Sequence, residues 1–273
     1  MFRHPATFLT ALLLGSLASP AAAIDPNTTD ARAIVSALKN AQTATRSTSR
    51  VRMTIQDQTG KRERVFSTRT KKYDDAFKTL LLIEQPADLH DMGFLTVDYS
   101  GKGKNDEQWI YLPRLHRVSR LADSGKSDAF VGSDFSISDM ALLGFDINDF
   151  ELRVVEQNAK VGDEACWVVE TKPKTDLVRS QTGYERSQLW ISKSKTVILQ
   201  LKAWLASGNK TKYLKANDLR NEQGIWTPRR LQMRTLVGTN VVSETQLEVL
   251  SIDNDAKDVV DSDFTVQRLQ QGA

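Results

Sequence analysis

Cysteine is nearly missing from this 273-residue chain, with Cys166 the only one. A single cysteine excludes an intramolecular disulfide and any cysteine-based zinc cluster. Cys166 stands beside Trp167 in a strand-like stretch, where a small buried hydrophobe is expected rather than a nucleophile. Histidine is almost as scarce, at three residues. Apart from His4 near the start there are only His90 and His116, which have no paired metal-ligand spacing. Glu84, His90 and Asp91 are the one group that could hold a metal, and a solvated loop is expected there because a metal site needs a definite ligand count and geometry. No G-x-S-x-G elbow or phosphate-cradling glycine loop occurs. The stretch Gly101-Lys102-Gly103-Lys104 reads as a strand-linking turn. Catalysis, a cofactor and a bound metal are therefore not expected.

Long apolar runs are absent too, except at the N-terminus. Arg3 gives a positive start, Phe8 to Ala18 a short apolar core, and Ala21-Ala22-Ala23 a small-residue cleavage site. The run is too short to span a bilayer. Residues 1–23 are expected to be a cleavable signal peptide, with residues 24–273 forming one exported domain. Ile24 stands where a lipoprotein would need cysteine, so no lipid anchor is expected. The formal net charge is only +3, and the basic residues alternate with acidic ones. The densest patch, Lys61-Arg62-Glu63-Arg64 with Lys71-Lys72, reads as solvated strand ends rather than a nucleic-acid surface.

What the chain has in quantity is strand pattern. After one helix, whose stripe is Ala31, Ile34, Val35, Leu38 and Ala41 behind a cap at Thr28 or Thr29, the period changes from about 3.6 to 2. Val51, Met53 and Ile55 alternate with Arg52, Thr54 and Gln56, and Thr59-Gly60 turns the chain back. Further strands are expected at Phe77–Glu84, Gly93–Tyr99, Glu107–Leu112, Glu151–Gln157 and Cys166–Lys172. Five more follow between Glu185 and Ile252, joined by hairpin turns such as Gln223-Gly224 and Gly238-Thr239-Asn240. Short helical turns are expected near Ala87–Asp91 and Ser136–Leu143. The fold class is therefore mainly β, a large curved antiparallel sheet of roughly ten strands. So few helices cannot cover one face of it. It must close on itself or stay open around a cavity, and apolar pockets suit lipid-like ligands.

One stretch is more specific. Gln108-Trp109-Ile110-Tyr111-Leu112-Pro113 is a strand stopped by proline. Arg114, Arg117 and Arg120 then recur every third residue, and Gly132-Ser133-Asp134-Phe135-Ser136 follows. With Leu189-Trp190-Ile191, Gly224-Ile225-Trp226-Thr227-Pro228-Arg229 and Val259-Val260-Asp261-Ser262-Asp263-Phe264-Thr265-Val266, this resembles the LolA-like outer-membrane lipoprotein-sorting family. The resemblance implies an incomplete β-barrel with helices as a lid over an apolar cavity. It also implies a periplasmic carrier of a lipid or lipoprotein acyl chain, with an inner-membrane RND-type transporter as the partner of the nearer branch. The rival expectation is a periplasmic sensor or scaffold similar to RseB, which binds a partner protein. A monomer is expected.

Ten strand residues are the candidate cavity wall: Met53, Ile55, Leu81, Ile83, Leu95, Trp109, Tyr111, Trp190, Leu199 and Leu201. Periodicity does not settle which face is concave where both are apolar, as in Leu80–Ile83 and Ile110–Leu112. Arg114, Arg117 and Arg120 are expected at the rim, pairing with Asp134 and Asp139 to pin the lid.

Overall fold

The computed structural model describes residues 24–99, 106–122, 125–140 and 146–272. Two antiparallel meanders make up the sheet. The first runs through β1 (Arg46–Asp57), β2 (Gly60–Lys72), β3 (Ala76–Gln85), β4 (Gly93–Tyr99), β5 (Glu107–Leu112) and β6 (Arg117–Arg120). The second comprises β7 (Phe150–Val161), β8 (Glu164–Pro173), β9 (Tyr184–Ser192), β10 (Ile198–Leu205), β11 (Lys210–Glu222), β12 (Ile225–Val237) and β13 (Asn240–Asp253). β1 and β13 pair in the middle, giving one 13-stranded sheet in the order β6-β5-β4-β3-β2-β1-β13-β12-β11-β10-β9-β8-β7. The two edge strands, β6 and β7, are thus neighbours in sequence. The chain between them has to travel from one edge of the sheet to the other.

The sheet curls without closing. β5 and β8 stand ten strands apart in that order, which would be roughly 50 Å in a flat sheet. Yet Gln108 of β5 and Thr171 of β8 line one cavity. The result is an open β-barrel, the architecture expected of a sheet this wide. Its strand count exceeds the expected ten, partly because β6 forms from the arginine-spaced stretch.

The inner face carries two joined clusters. Val51, Met53 and Ile55 of β1, Phe66 of β2, Leu81 and Ile83 of β3 and Met233 of β12 pack around Phe130 and Phe135 from the segment joining β6 to β7. Helix α1 (Ala31–Ala41) lays Ile34, Val35 and Leu38 on Trp167, Val169, Leu189 and Ile191. Its cap is Asp30, whose carboxylate accepts from the backbone N–H groups of Arg32 and Ala33. The cap therefore falls just after the expected threonines. The short turn expected near Ala87–Asp91 is present as hydrogen-bonded turns. Of Ser136–Leu143, α2 (Ile137–Met140) is helical, Ser136 precedes it, and residues 141–143 lie outside the described residues, as do the signal segment and the Gly101–Lys104 turn.

Two helices were not anticipated. Helix α3 (Asp176–Thr182) is capped by the Thr175 hydroxyl and stopped by Gly183 at φ 73°, a conformation glycine adopts without steric cost. Helix α4 (Val266–Gln271) starts at the Thr265 hydroxyl. The chain around it covers the outer face, where Ala256, Val259, Phe264 and Leu269 pack on Leu80, Leu82, Leu95 and Tyr111. Gly93 makes room for that cover, since a Cβ there would stand 2.6 Å from Leu269 Cδ1 and 2.8 Å from Leu82 Cδ2.

That contact yields a coupled prediction. Gly93→Ala overpacks a buried site and is expected to lower stability by about 1–3 kcal/mol. In a Leu269→Ala background the same methyl enters vacated space, so its cost should shrink. Denaturant melts of the four proteins measure the coupling, and additive losses would contradict it.

Candidate functional site

A cavity of about 190 Å³ opens between α1, α3, the β4–β5 and β8–β10 walls and the segment carrying α2. Strand alternation makes it two-ended. On β4 the inner positions run Phe94, Thr96, Asp98, and on β5 they run Ile110, Gln108. On the opposite wall β8 runs Trp167, Val169, Thr171 and β9 runs Ile191, Leu189, Ser187. Both walls therefore pass from apolar to polar towards the same end. Leu38, Val178, Leu189, Ile198 and Leu201 supply the apolar part.

The polar end is dry enough to alter its groups. Asp98 is 7% exposed. Burial pushes its carboxyl up to about 7, with the like charge of Asp106 adding to the rise and Lys126 and Lys39 opposing it. Burial also lowers the Lys39 ammonium, against the attraction of Asp146, Asp98 and Asp106. Thr171 and Ser187, a directly opposed pair, share a buried hydrogen bond of 2.7 Å. Gln108 is 6% exposed, and its Oε1 is buried with no hydrogen-bond partner among the described residues. Such an orphaned acceptor is costly.

Two aspartates tie the β6–β7 connection to the barrel interior. The Asp134 carboxylate accepts from the hydroxyls of Thr235 and Thr245, both at 2.6 Å, and from Ser243. Its own N–H donates to Thr245 Oγ1 at 2.9 Å. The Asp139 carboxylate accepts from Tyr184 Oη at 2.7 and 2.8 Å and from Lys212 Nζ at 3.2 Å. It also accepts from the Ser136 N–H, while the Asp139 N–H donates to Ser136 Oγ. Burial, then the Asp139 charge, holds the Tyr184 phenol well above its ordinary pKa.

The expected site residues divide by face. Leu201 lines the cavity. Met53, Ile55, Leu81 and Ile83 lie on the inner face, filled in by Phe130 and Phe135. Leu95, Trp109 and Tyr111 are corrected to the outer face, beneath the C-terminal cover. Trp190 and Leu199 likewise belong to an outer cluster with Cys166, Val168 and Trp226. These strands are apolar on both sides because both sides are covered. Which face holds the cavity is thus not a property of the strand alone. The pairing expected for Asp134 and Asp139 is also corrected, since hydroxyls and Lys212 hold them instead. Arg114 and Arg117 are solvent-exposed, and Arg120 pairs with Glu107 at 3.3 Å. Asp98, Gln108 and Tyr184 were missed. The signal was present for two of them, because Asp98 falls in step with Phe94, and Gln108 with Ile110.

Fold and cavity together define an open β-barrel with a partly covered, two-ended interior. A family model described as "uncharacterized protein" matches residues 75–271, and the chain belongs to that family. Its fold is LolA-like. A domain assigned to outer membrane lipoprotein sorting, from Vibrio parahaemolyticus, superposes with a TM-score of 0.76 at 22% identity, covering 87% of this chain and 97% of that one. A DUF1329 family protein from Desulfovibrio piger gives 0.76 at 22% identity, over 89% and 100%. A LolA superfamily protein from Nitrosomonas europaea gives 0.68 at 18% identity, over 88% and 99%. No curated protein matches the sequence.

Two predictions follow from the carboxylates. Asp134→Ala removes the acceptor shared by three hydroxyls and should cost about 2–4 kcal/mol in denaturant melts. It should also hasten proteolysis within residues 125–140, and unchanged cleavage would contradict the anchoring role. Asp98 gives a pH dependence. Its folded pKa of about 7 exceeds the ordinary 3.8, so the folded state binds the extra proton between those values. Stability is lost as pH rises from about 4 to about 7. Asp98→Asn lacks this loss, and its advantage over the parent should widen by about 2–3 kcal/mol between pH 5 and pH 8.

Proposed function

We propose that this protein is a periplasmic carrier that takes a lipid or lipoprotein acyl chain into its open barrel. The carrying observation is the two-ended cavity, apolar along Leu38, Leu189, Ile198 and Leu201 and polar at Asp98 and Gln108. The likeness in fold to a lipoprotein-sorting domain supports the reading. Among the described residues, no helix is long and apolar enough to cross a membrane. In this reading residues 1–23 are a cleaved signal, residues 24–273 act as one monomeric domain, and an inner-membrane RND-type transporter loads or unloads the cargo.

At about 190 Å³, the cavity has room for on the order of ten water-sized groups. Eight buried methylenes would contribute about 6 kcal/mol before ordering costs. That suits a carrier, which must also let go. A longer chain would need the space now filled by Phe130 and Phe135, over Met53, Ile55, Leu81 and Ile83. Movement of the anchored segment is thus the natural step for loading.

Native purification followed by solvent extraction and mass spectrometry tests the reading. Co-purified lipid is expected, and the stripped protein should bind a fluorescent fatty-chain probe. Leu201→Asn, which puts an amide into the apolar wall, should weaken that probe about tenfold. A lipid-free extract with no probe binding would overturn the carrier function. Tight capture of a partner protein by that empty protein would favour the sensor or scaffold reading instead.

A further inference from the structure

We propose that the polar end of the cavity seats a cationic amine, so that the preferred cargo is an amine-bearing amphiphile rather than an acidic or neutral one. The inference rests on the carrier reading and names its ligand class. Its first basis is the balance of acceptors. Asp98 and Asp106 from the β4–β5 wall and Asp146 and Asp149 from the chain before β7 all line the cavity. They are close enough to feel one another, since Asp106 acts on Asp98, and both Asp106 and Asp146 act on Asp149.

Among the described residues, three cations act on these four carboxylates. Lys39 of α1 and Lys126 of the β6–β7 connection face Asp98, and Lys174 beyond β8 faces Asp149. The other described charges on the wall have partners of their own, with Glu170 shared between Arg186 and Arg153. Asp139 is held by Lys212, while the Arg186 guanidinium is bonded to Glu170 and lies 3.3 Å over the Trp204 ring. Among the described residues, the set thus counts more carboxylates than cations acting on them.

The second basis is independent of charge. Gln108 sits in the same wall, 6% exposed, with its Oε1 buried and lacking any donor among the described residues. A group entering this end must bring N–H or O–H donors, because carboxylates and an amide oxygen only accept. An ammonium brings three donors and a positive charge together. A carboxylate or phosphate head would bring more acceptors and like charge, which in a low-dielectric site is strongly disfavoured. The neighbouring apolar wall gives the tail its place.

Three ligands with one tail and different heads decide the matter: octylamine, 1-octanol and octanoate, titrated calorimetrically into the stripped full-length protein at pH 8. Octylamine is expected to bind at least tenfold more tightly than either of the others. Asp98→Asn and, separately, Gln108→Leu should each reduce that preference several-fold. Should one variant fail to fold, the other carries the test. If the three bind alike, or octanoate binds best, the amine assignment falls and the carrier reading stands. A preference that survives intact in a folded variant also overturns it. If none of the three binds, both readings fall together.

Discussion

The constraint on which the molecule turns is that the two edge strands are consecutive in sequence. β6 and β7 lie at opposite ends of a 13-stranded order, so their connection must bridge whatever gap the sheet leaves. A closed barrel would have removed both edges. Here the sheet stops short, and the connection enters the barrel instead of passing over it. Asp134 fixes where it enters. A carboxylate taken out of water is tolerated only if its lone pairs are filled, and the hydroxyls of Thr235, Ser243 and Thr245 provide for that across a two-strand ladder. Once that point is set, Phe130 and Phe135 fall onto the apolar floor. The remaining volume is displaced towards α1 and α3.

Much of the architecture was readable because period-2 alternation and hairpin glycines report strands wherever one face is wet. The stripe of α1 was equally plain. Legibility failed where both faces are dry. In β4 and β5, Phe94 and Ile110 face inwards while Leu95, Trp109 and Tyr111 face outwards. The outer residues look like cavity wall only because α4 and the chain before it cover them. That cover begins more than 130 residues downstream, so no local pattern announces it. α4 itself is only six residues long after Thr265, easily read as the fraying end of a β protein.

The arginine triplet shows a related limit. Sequence proximity placed Asp134 and Asp139 near Arg114, Arg117 and Arg120, and opposite charge made pairing attractive. Folding sends the two sets to different environments. Arg117 and Arg120 stay on a short edge strand and Arg114 in the turn before it, all exposed to water, where charge guards against edge-to-edge pairing. The aspartates go inside, where partners must satisfy geometry as well as charge. Hydroxyls from adjacent strands converge on a carboxylate more readily than a long guanidinium from a distant edge. Exposed ion pairs are worth little in any case, so they could not have fixed the connection as the buried network does.

The polar end of the cavity follows from the same geometry. A curled sheet brings strands ten positions apart to face one another, and each brings the residues its own register dictates. On β4 and β5 the inner positions end in Asp98 and Gln108, and on β8 and β9 in Thr171 and Ser187. In an isolated hairpin such residues would be solvated, which is why they read as surface. Closing the curl dries them without giving every one a partner. Burial pushes the Asp98 carboxyl up to about 7, while Gln108, which does not titrate, keeps an acceptor with no partner among the described residues. A pure hydrocarbon cargo would need neither residue, and leucine at both positions would make a more stable wall. In the proposed carrier, a headgroup that meets them would offset their cost to the fold.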